Sequence, residues 1–185
     1  MSEIQANKLS PSSGTAVQLG DSGDTFTIPS GATITNSGTA TGFGESNTPN
    51  FYAYCNDGSA AFNNSTDTTV VLNAELFDSD SKFDTSTYRF TPGVAGTYFL
   101  YGQVRMNTTS SATILQSVIR KNGTAMAYGR ASVEQQGGSI VSGLFEANAT
   151  DYFDLMAFQN TGFNHNFNAL STTTYFTGFK LTWVH

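Results

Sequence analysis

FDTSTYRFTPGVAGTYFLYG, residues 83–102, packs six aromatic rings into twenty residues beside one acid, Asp84, and one base, Arg89. PGVAG, residues 92–96, is a turn signal that splits the block. Beyond it, Gly96–Asn107 alternates in two sets. Tyr98, Leu100, Gly102, Val104 and Met106 share one face, and Phe99, Tyr101, Gln103 and Arg105 the other. An antiparallel strand with one wet face reads apolar in and polar out. Here both faces begin apolar. Tyr152–Gln159 behaves alike, with Tyr152, Met156 and Phe158 against Phe153, Leu155 and Ala157. So does the last strand, with Tyr175, Phe179, Leu181 and Trp183 against Phe176 and Val184. Second faces of this kind are most simply covered by neighbouring subunits; a deeper core within one chain is the alternative. Tyr98, Leu100, Phe179 and Trp183 are assigned to the sandwich interior, and Phe99, Tyr101 and Phe153 to a subunit interface. Period 2 defines two faces without labelling them, so the exchanged assignment stays open.

Around this block lie further strands at sandwich spacing: 50–54, 68–74, 88–90, 113–121, 124–134 and 138–147. KNG and QGG mark turns between them. The best helical candidate, TSSATILQSVIRKNG, is rich in β-branched residues and reads better as a strand. Charged residues are 12% of the chain, about half the usual ~25%, and Ser, Thr, Asn and Gly replace them. That balance favours strands over helices. A chain of 185 residues is enough for one good core.

Net charge is −6 with eight scattered Lys and Arg, so nothing drives binding to nucleic acid or to an anionic membrane. No apolar run reaches the ~20 residues of a membrane span, so no membrane insertion is expected. The single cysteine, Cys55, permits no intrachain disulfide and reads as a small buried hydrophobe. MSEIQANKLSPSSG lacks the basic and apolar regions of a secretory signal, and synthesis in the cytosol is expected.

Residues 1–48 are written in a different style. Phe26 and Ile28 alternate with Thr25 and Thr27, and Ala32 and Ile34 with Thr33 and Thr35, around the turn Pro29–Gly31. Two such strands bury too little alone. Identical chains about a threefold axis would supply partners, with Phe26, Ile28 and Ile34 meeting their symmetry mates. The expected organisation is an N-terminal stem, 1–48, and a head domain, 49–185.

The head resembles the globular head of the complement first component's q subunit, related in fold to the tumour-necrosis-factor cytokines. The resemblance spans about Asn50–His185. It rests on NFYAY (50–54), FDTSTYRFTPGVAGTYFLYGQV (83–104), IRKNGT (119–124), SGLFEANATDYFDLMA (142–157) and YFTGFKL (175–181). It implies an all-β antiparallel jelly-roll sandwich that assembles as a homotrimer. The collagen repeat that precedes such heads in the complement proteins is replaced here. NKLSPSSGTAVQLGDSGDTFTIPSGATITNSGTATGFG (7–44) is instead similar to N-terminal segments of marine bacteriophage fibre and other virion proteins.

Signals for chemistry are weak. Asp78, Asp80 and Asp84 in DSDSKFD lack the glycine and terminal Glu of a calcium loop and read as a solvated loop. No GxSxG elbow and no His or Cys pair at metal spacing occurs, and Glu134 and Glu146 are glycosidase candidates only by elimination. No enzyme activity, metal or cofactor is expected. The N-x-S/T triplets at Asn63, Asn64, Asn107, Asn122 and Asn148 follow from composition. For ligand binding the richest segment is Thr161–Thr174. Phe163 and Phe167 offer rings for a sugar face, Asn164, Asn166 and Asn168 offer amides, and His165 offers a titratable donor. A solvated loop is the alternative.

The expected function is therefore that of a bacteriophage structural protein on the virion surface. It would be a trimeric fibre or spike, made in the host cytoplasm and joined to other virion proteins by its stem. Its head would bind a host-surface glycan or protein. A capsid decoration or head-fibre protein, bound to the capsid lattice and stabilising it or mediating weak adhesion, is the alternative.

Overall fold

The computed structural model describes residues 9–35, 37, 47–108, 112–133 and 137–182. The chain divides into two units, Met1–Phe43 and Gly44–His185.

In the first unit no described residue is in a strand, and Phe26, Ile28 and Ile34 are exposed. The partners expected for this segment are symmetry mates, which lie outside the single chain. The turn forms, with Ala32 N donating to Pro29 O at 3.1 Å, but the flanking segments have no ladder to join. Two short isolated strands lack the buried face that would hold them together.

The second unit turns period-2 sequence into strands: β1 (Asn50–Tyr54), β2 (Ala61–Phe62), β3 (Thr68–Thr69), β4 (Ala74–Asp78), β5 (Phe83–Asp84), β6 (Arg89–Phe90), β7 (Gly96–Arg105), β8 (Ala112–Lys121), β9 (Thr124–Val133), β10 (Gly138–Ala147), β11 (Phe153–Gln159), β12 (His165–Asn166) and β13 (Tyr175–Lys180). No helix occurs among the described residues. One sheet has the order β10-β7-β13-β1-β4, the other β5-β6-β11-β8-β9, and β2 pairs with β12. β11 is served along one edge by two short partners, β6 at Phe153 and Asp154 and β3 at Met156 and Ala157. From β7 onward the main-sheet strands change sheet at every link except the β8–β9 hairpin. This is an antiparallel jelly-roll sandwich.

Local chemistry fixes the hairpin. Asn122 and Gly123 both have positive φ, 51° and 79°, as a tight turn matched to strand twist requires. The Asn122 amide also donates to Asp151 Oδ1 at 2.7 Å and accepts from Tyr152 N at 3.0 Å, tying this turn to the start of β11.

The interior is aromatic. Phe51 stacks on Phe90 (4.3 Å between centroids) and Phe83 (5.2 Å) and meets Phe176 edge-on. Tyr98 and Leu100 of β7 are buried, and the Tyr98 hydroxyl donates to Val94 O at 2.7 Å. Each large ring removed from water stabilises the fold by roughly 1.5–3 kcal/mol. Arg120 on β8 grips Asp154 on β11 through Nε–Oδ1 (2.6 Å) and Nη2–Oδ2 (2.8 Å), and its Nη2 also reaches Thr69 Oγ1.

Several face assignments change. Phe153, expected at a subunit interface, is fully buried in the sandwich and packs against Phe145 at 5.8 Å. β11 lies inside its sheet, and its inward set is Phe153, Leu155 and Ala157. Phe179, expected inside, faces outward. Its neighbour Gly178 is the inward residue, and a Cβ there would run into Leu100, the Phe99 carbonyl and the Phe51 ring. Trp183 lies outside the described residues. The expected strand 68–74 is interrupted: Val70 and Leu72 are buried, but the ladder resumes only at Ala74.

Candidate binding surfaces

The sheet β10-β7-β13-β1-β4 turns one face to the core and leaves the other uncovered by the described residues of the head. On that outer face the register sets Phe179 opposite Phe99, Thr177 opposite Tyr101 and Tyr175 opposite Gln103. Tyr52 lies opposite Thr177 and Phe77, and Leu144 opposite Phe99. The rings form two groups on this face. Tyr175 stacks on Tyr52 (4.9 Å) and Tyr101 (5.7 Å), Tyr52 tilts against Phe77 (6.1 Å), and Phe99 meets Phe179 (5.6 Å). Along the margins Phe77 and Leu144 are 50% and 60% exposed. Near the start of β1, Phe77 and Phe179 join Asn47, Asn50, Thr177 and Gly178 around an open hollow.

The phenols of this layer are partly spent. Tyr52 Oη donates to Ser171 O at 2.6 Å, and Tyr175 Oη lies 3.4 Å from Gln103 Oε1. Burial first, then the neighbouring Tyr101, pushes the Tyr52 hydroxyl pKa up, and burial and Tyr101 push that of Tyr175 up further. Both stay protonated at neutral pH, so the layer's centre carries no charge.

Strand direction sorts the loops into two ends. β1 begins at Asn50 and β13 finishes at Lys180 on the same end, where Lys180 N donates to Pro49 O at 3.1 Å. The β8–β9 turn lies there too. The opposite end, where β1 finishes at Tyr54, carries the loops after β1 and β11. All five sequence-derived ligand residues lie in the chain following β11 at this end.

They do not act alike. Phe167 is buried, stacked on Phe62 at 4.6 Å, with its N–H donating to Ala60 O. It is a core residue and is withdrawn as a ligand contact, because the second ring of a loop that must pack on a sandwich goes inward. His165 and Asn166 form β12 against β2. His165 Nε2 is 2.8 Å from Thr161 Oγ1, and Asn166 Nδ2 donates to Gly58 O at 2.9 Å. Phe163 and Asn164 remain exposed, Phe163 at 70%. Phe163 sits at a tip that begins with Gly162, whose φ of 92° suits glycine.

Sequence reasoning did not single out Asn64, which the fold brings to this tip. Its Oδ1 accepts from Gly162 N at 2.8 Å, and its own N–H donates to Asn164 Oδ1 at 2.9 Å. It also set Tyr175 on the face of Phe179, which it assigned to the interior, and left Tyr52 and Phe77 out of the outer layer. The marker within the sequence was Gly178, a glycine in a strand centre that signals close approach on its own side. Among the described residues no group of three His, Cys, Asp or Glu could hold a metal ion. Glu146 is exposed on the outer face beside Thr97, and Glu134 lies outside the described residues.

No protein-family model and no curated protein matches the sequence. Solved structures share the fold. Murine APRIL at pH 5.0 superposes with a TM-score of 0.57 at 13% identity, over 71% of this chain and 98% of that one. Eiger TNF from S. frugiperda gives 0.57 at 10% identity over 74% and 94%. The globular domain of zebrafish complement 1qA gives 0.51 at 19% identity over 72% and 98%. At these identities the likeness is one of fold, a jelly roll of the tumour-necrosis-factor and complement-head type.

Proposed function

We propose that this chain is a homotrimeric binding protein of a bacteriophage particle. Its N-terminal segment is the virion attachment and its jelly roll a head that adheres to the host surface. The observation that carries the trimer is the uncharged layer Phe77–Tyr52–Tyr175–Tyr101 with Phe99 and Phe179, left uncovered by the described residues of the head. A contiguous exposed apolar patch marks an interface. Packing about a threefold axis would cover it with a different patch of the next copy and close the ring. The exposed apolar residues of β9 on the other sheet, Met126 and Tyr128, are suited to that second patch. The virion assignment is supported by the fibre-like text of residues 7–44, whose Leu19, Phe26, Ile28 and Ile34 are exposed. The role is binding rather than catalysis.

Light scattering on purified protein tests the first part, with an expected mass about three times 19.7 kDa. A monomer at micromolar concentration, or a twofold dimer, removes the trimer. A reconstruction of the particle tests the second. Threefold density on fibres or spikes is expected, heads spread over the capsid lattice favour the decoration role, and absence of the protein from the particle removes both.

A further inference from the structure

We propose that Phe163, with the side-chain amides of Asn64 and Asn164, forms a binding site for a neutral saccharide at the Tyr54 end of each subunit. This deepens the adhesion role proposed above and rests on it.

The ring is presented rather than merely unburied. Phe163 O accepts from Gln159 Nε2 at 2.9 Å and lies 3.0 Å from Thr161 Oγ1. Gln159 is itself fully buried, and its Nε2 also reaches Phe62 O. Thr161 is held in turn by Gln159 Oε1 and faces His165 Nε2. The tip is therefore anchored from the core outward, and the conformational cost of presenting an exposed ring is met in folding rather than in binding.

The amides are set with the same economy. Asn64 Oδ1 and Asn164 Oδ1 each accept a backbone N–H, from Gly162 and from Asn64. That fixes which end of each amide is oxygen. Among the described residues neither Nδ2 group has a hydrogen-bond partner, and neither is a buried unsatisfied atom. Two oriented donors thus adjoin one exposed aromatic face.

The ligand class follows from this chemistry. A hexose presents a face of C–H bonds to a ring and hydroxyl oxygens to N–H donors. Residues 58–66 and 159–174, which build the tip, contain no Asp, Glu, Lys or Arg. These segments offer no Lys or Arg to select an acidic sugar or phosphate or to steer a charged protein, and their His165 is engaged by Thr161. An open, one-ring site binds weakly; three on one trimer raise the apparent affinity by multivalency.

The test uses the full-length assembled protein, with F163A and F163W as variants. The exposed ring predicts unchanged mass by light scattering and unchanged melting for both. The probes are immobilised glycans ending in neutral glucose, galactose, mannose or N-acetylglucosamine, with sialylated counterparts. The wild type is expected to be retained on at least one neutral glycan. F163A should lose about tenfold or more of that retention and F163W should keep it. No retention on any neutral glycan overturns the site, as does equal retention by F163A. Adhesion to the infected cell type separates the two levels. If F163A adheres as the wild type does, or if protease but not periodate treatment of the cells abolishes adhesion, the saccharide site falls and the adhesion role stands. If the wild type does not adhere at all, the adhesion role falls with it.

Discussion

Asp154 shows how a polar side chain survives in this interior. It is 2% exposed, and both of its oxygens are taken by Arg120. Removing one partner leaves a buried charge uncompensated. Arg120→Ala should therefore cost about 3–5 kcal/mol, read by denaturant unfolding at fixed protein concentration. Asp151 is largely buried as well. The Asn148 backbone amide first, then Lys121 and Asn122, hold its carboxyl down at about 2, below its ordinary 3.8. Ser86 and Thr87 do the same for Asp84. A depressed carboxyl pKa stabilises the fold above the ordinary value, and that contribution is lost as pH falls from about 4 towards 2. Asp151→Asn should melt earlier than wild type at pH 7 and lose less on acidification through that window. The long-range partnerships were not legible in the sequence. Arg120 and Asp154 stand 34 residues apart, and Asn64 and Asn164 stand 100 apart. Only a folded ladder brings them together.

For the strands, alternation was a sound guide to existence and a poor one to direction. The long strands β7 to β10 lie within a residue or so of their expected limits, because ten residues of alternating sequence leave little room for another structure. The two-residue strands β2, β5 and β12 carry no pattern at all. Facing was decided by register, and in β11 and β13 it reversed the expectation. Gly178 decides β13. Gly178→Ala should destabilise the subunit by about 1–3 kcal/mol, since the added carbon meets backbone as well as side chain, measured as a lowered unfolding midpoint. Tyr101, one residue from buried Leu100 and Gly102, should behave oppositely. Tyr101→Ala removes a ring that stacks on Tyr175 from the outer layer. It is expected to shift the trimer towards monomer on dilution in analytical ultracentrifugation, while the secondary structure by circular dichroism is unchanged. Undiminished assembly would move the interface to another face.

At the scale of the molecule, the strand spacing carried the sandwich, and the resemblance of the aromatic block to complement heads implied its jelly-roll character. Neither carried the division of labour at the Tyr54 end, where Phe167 anchors the loop and Phe163 is displayed by it. That division depends on β12 pairing with β2, two residues on each side. The same topology has a consequence for anyone who builds on this protein. β1 starts and β13 finishes on one end of the sandwich, and Thr182 Oγ1 still reaches Asn47 Oδ1 at 2.8 Å. A fluorescent label or displayed peptide joined after β13 would therefore emerge beside the start of β1, turned away from the opposite end of the sandwich. Cargo meant to be presented outward belongs in a loop of the opposite end, spliced into the chain instead of appended to it.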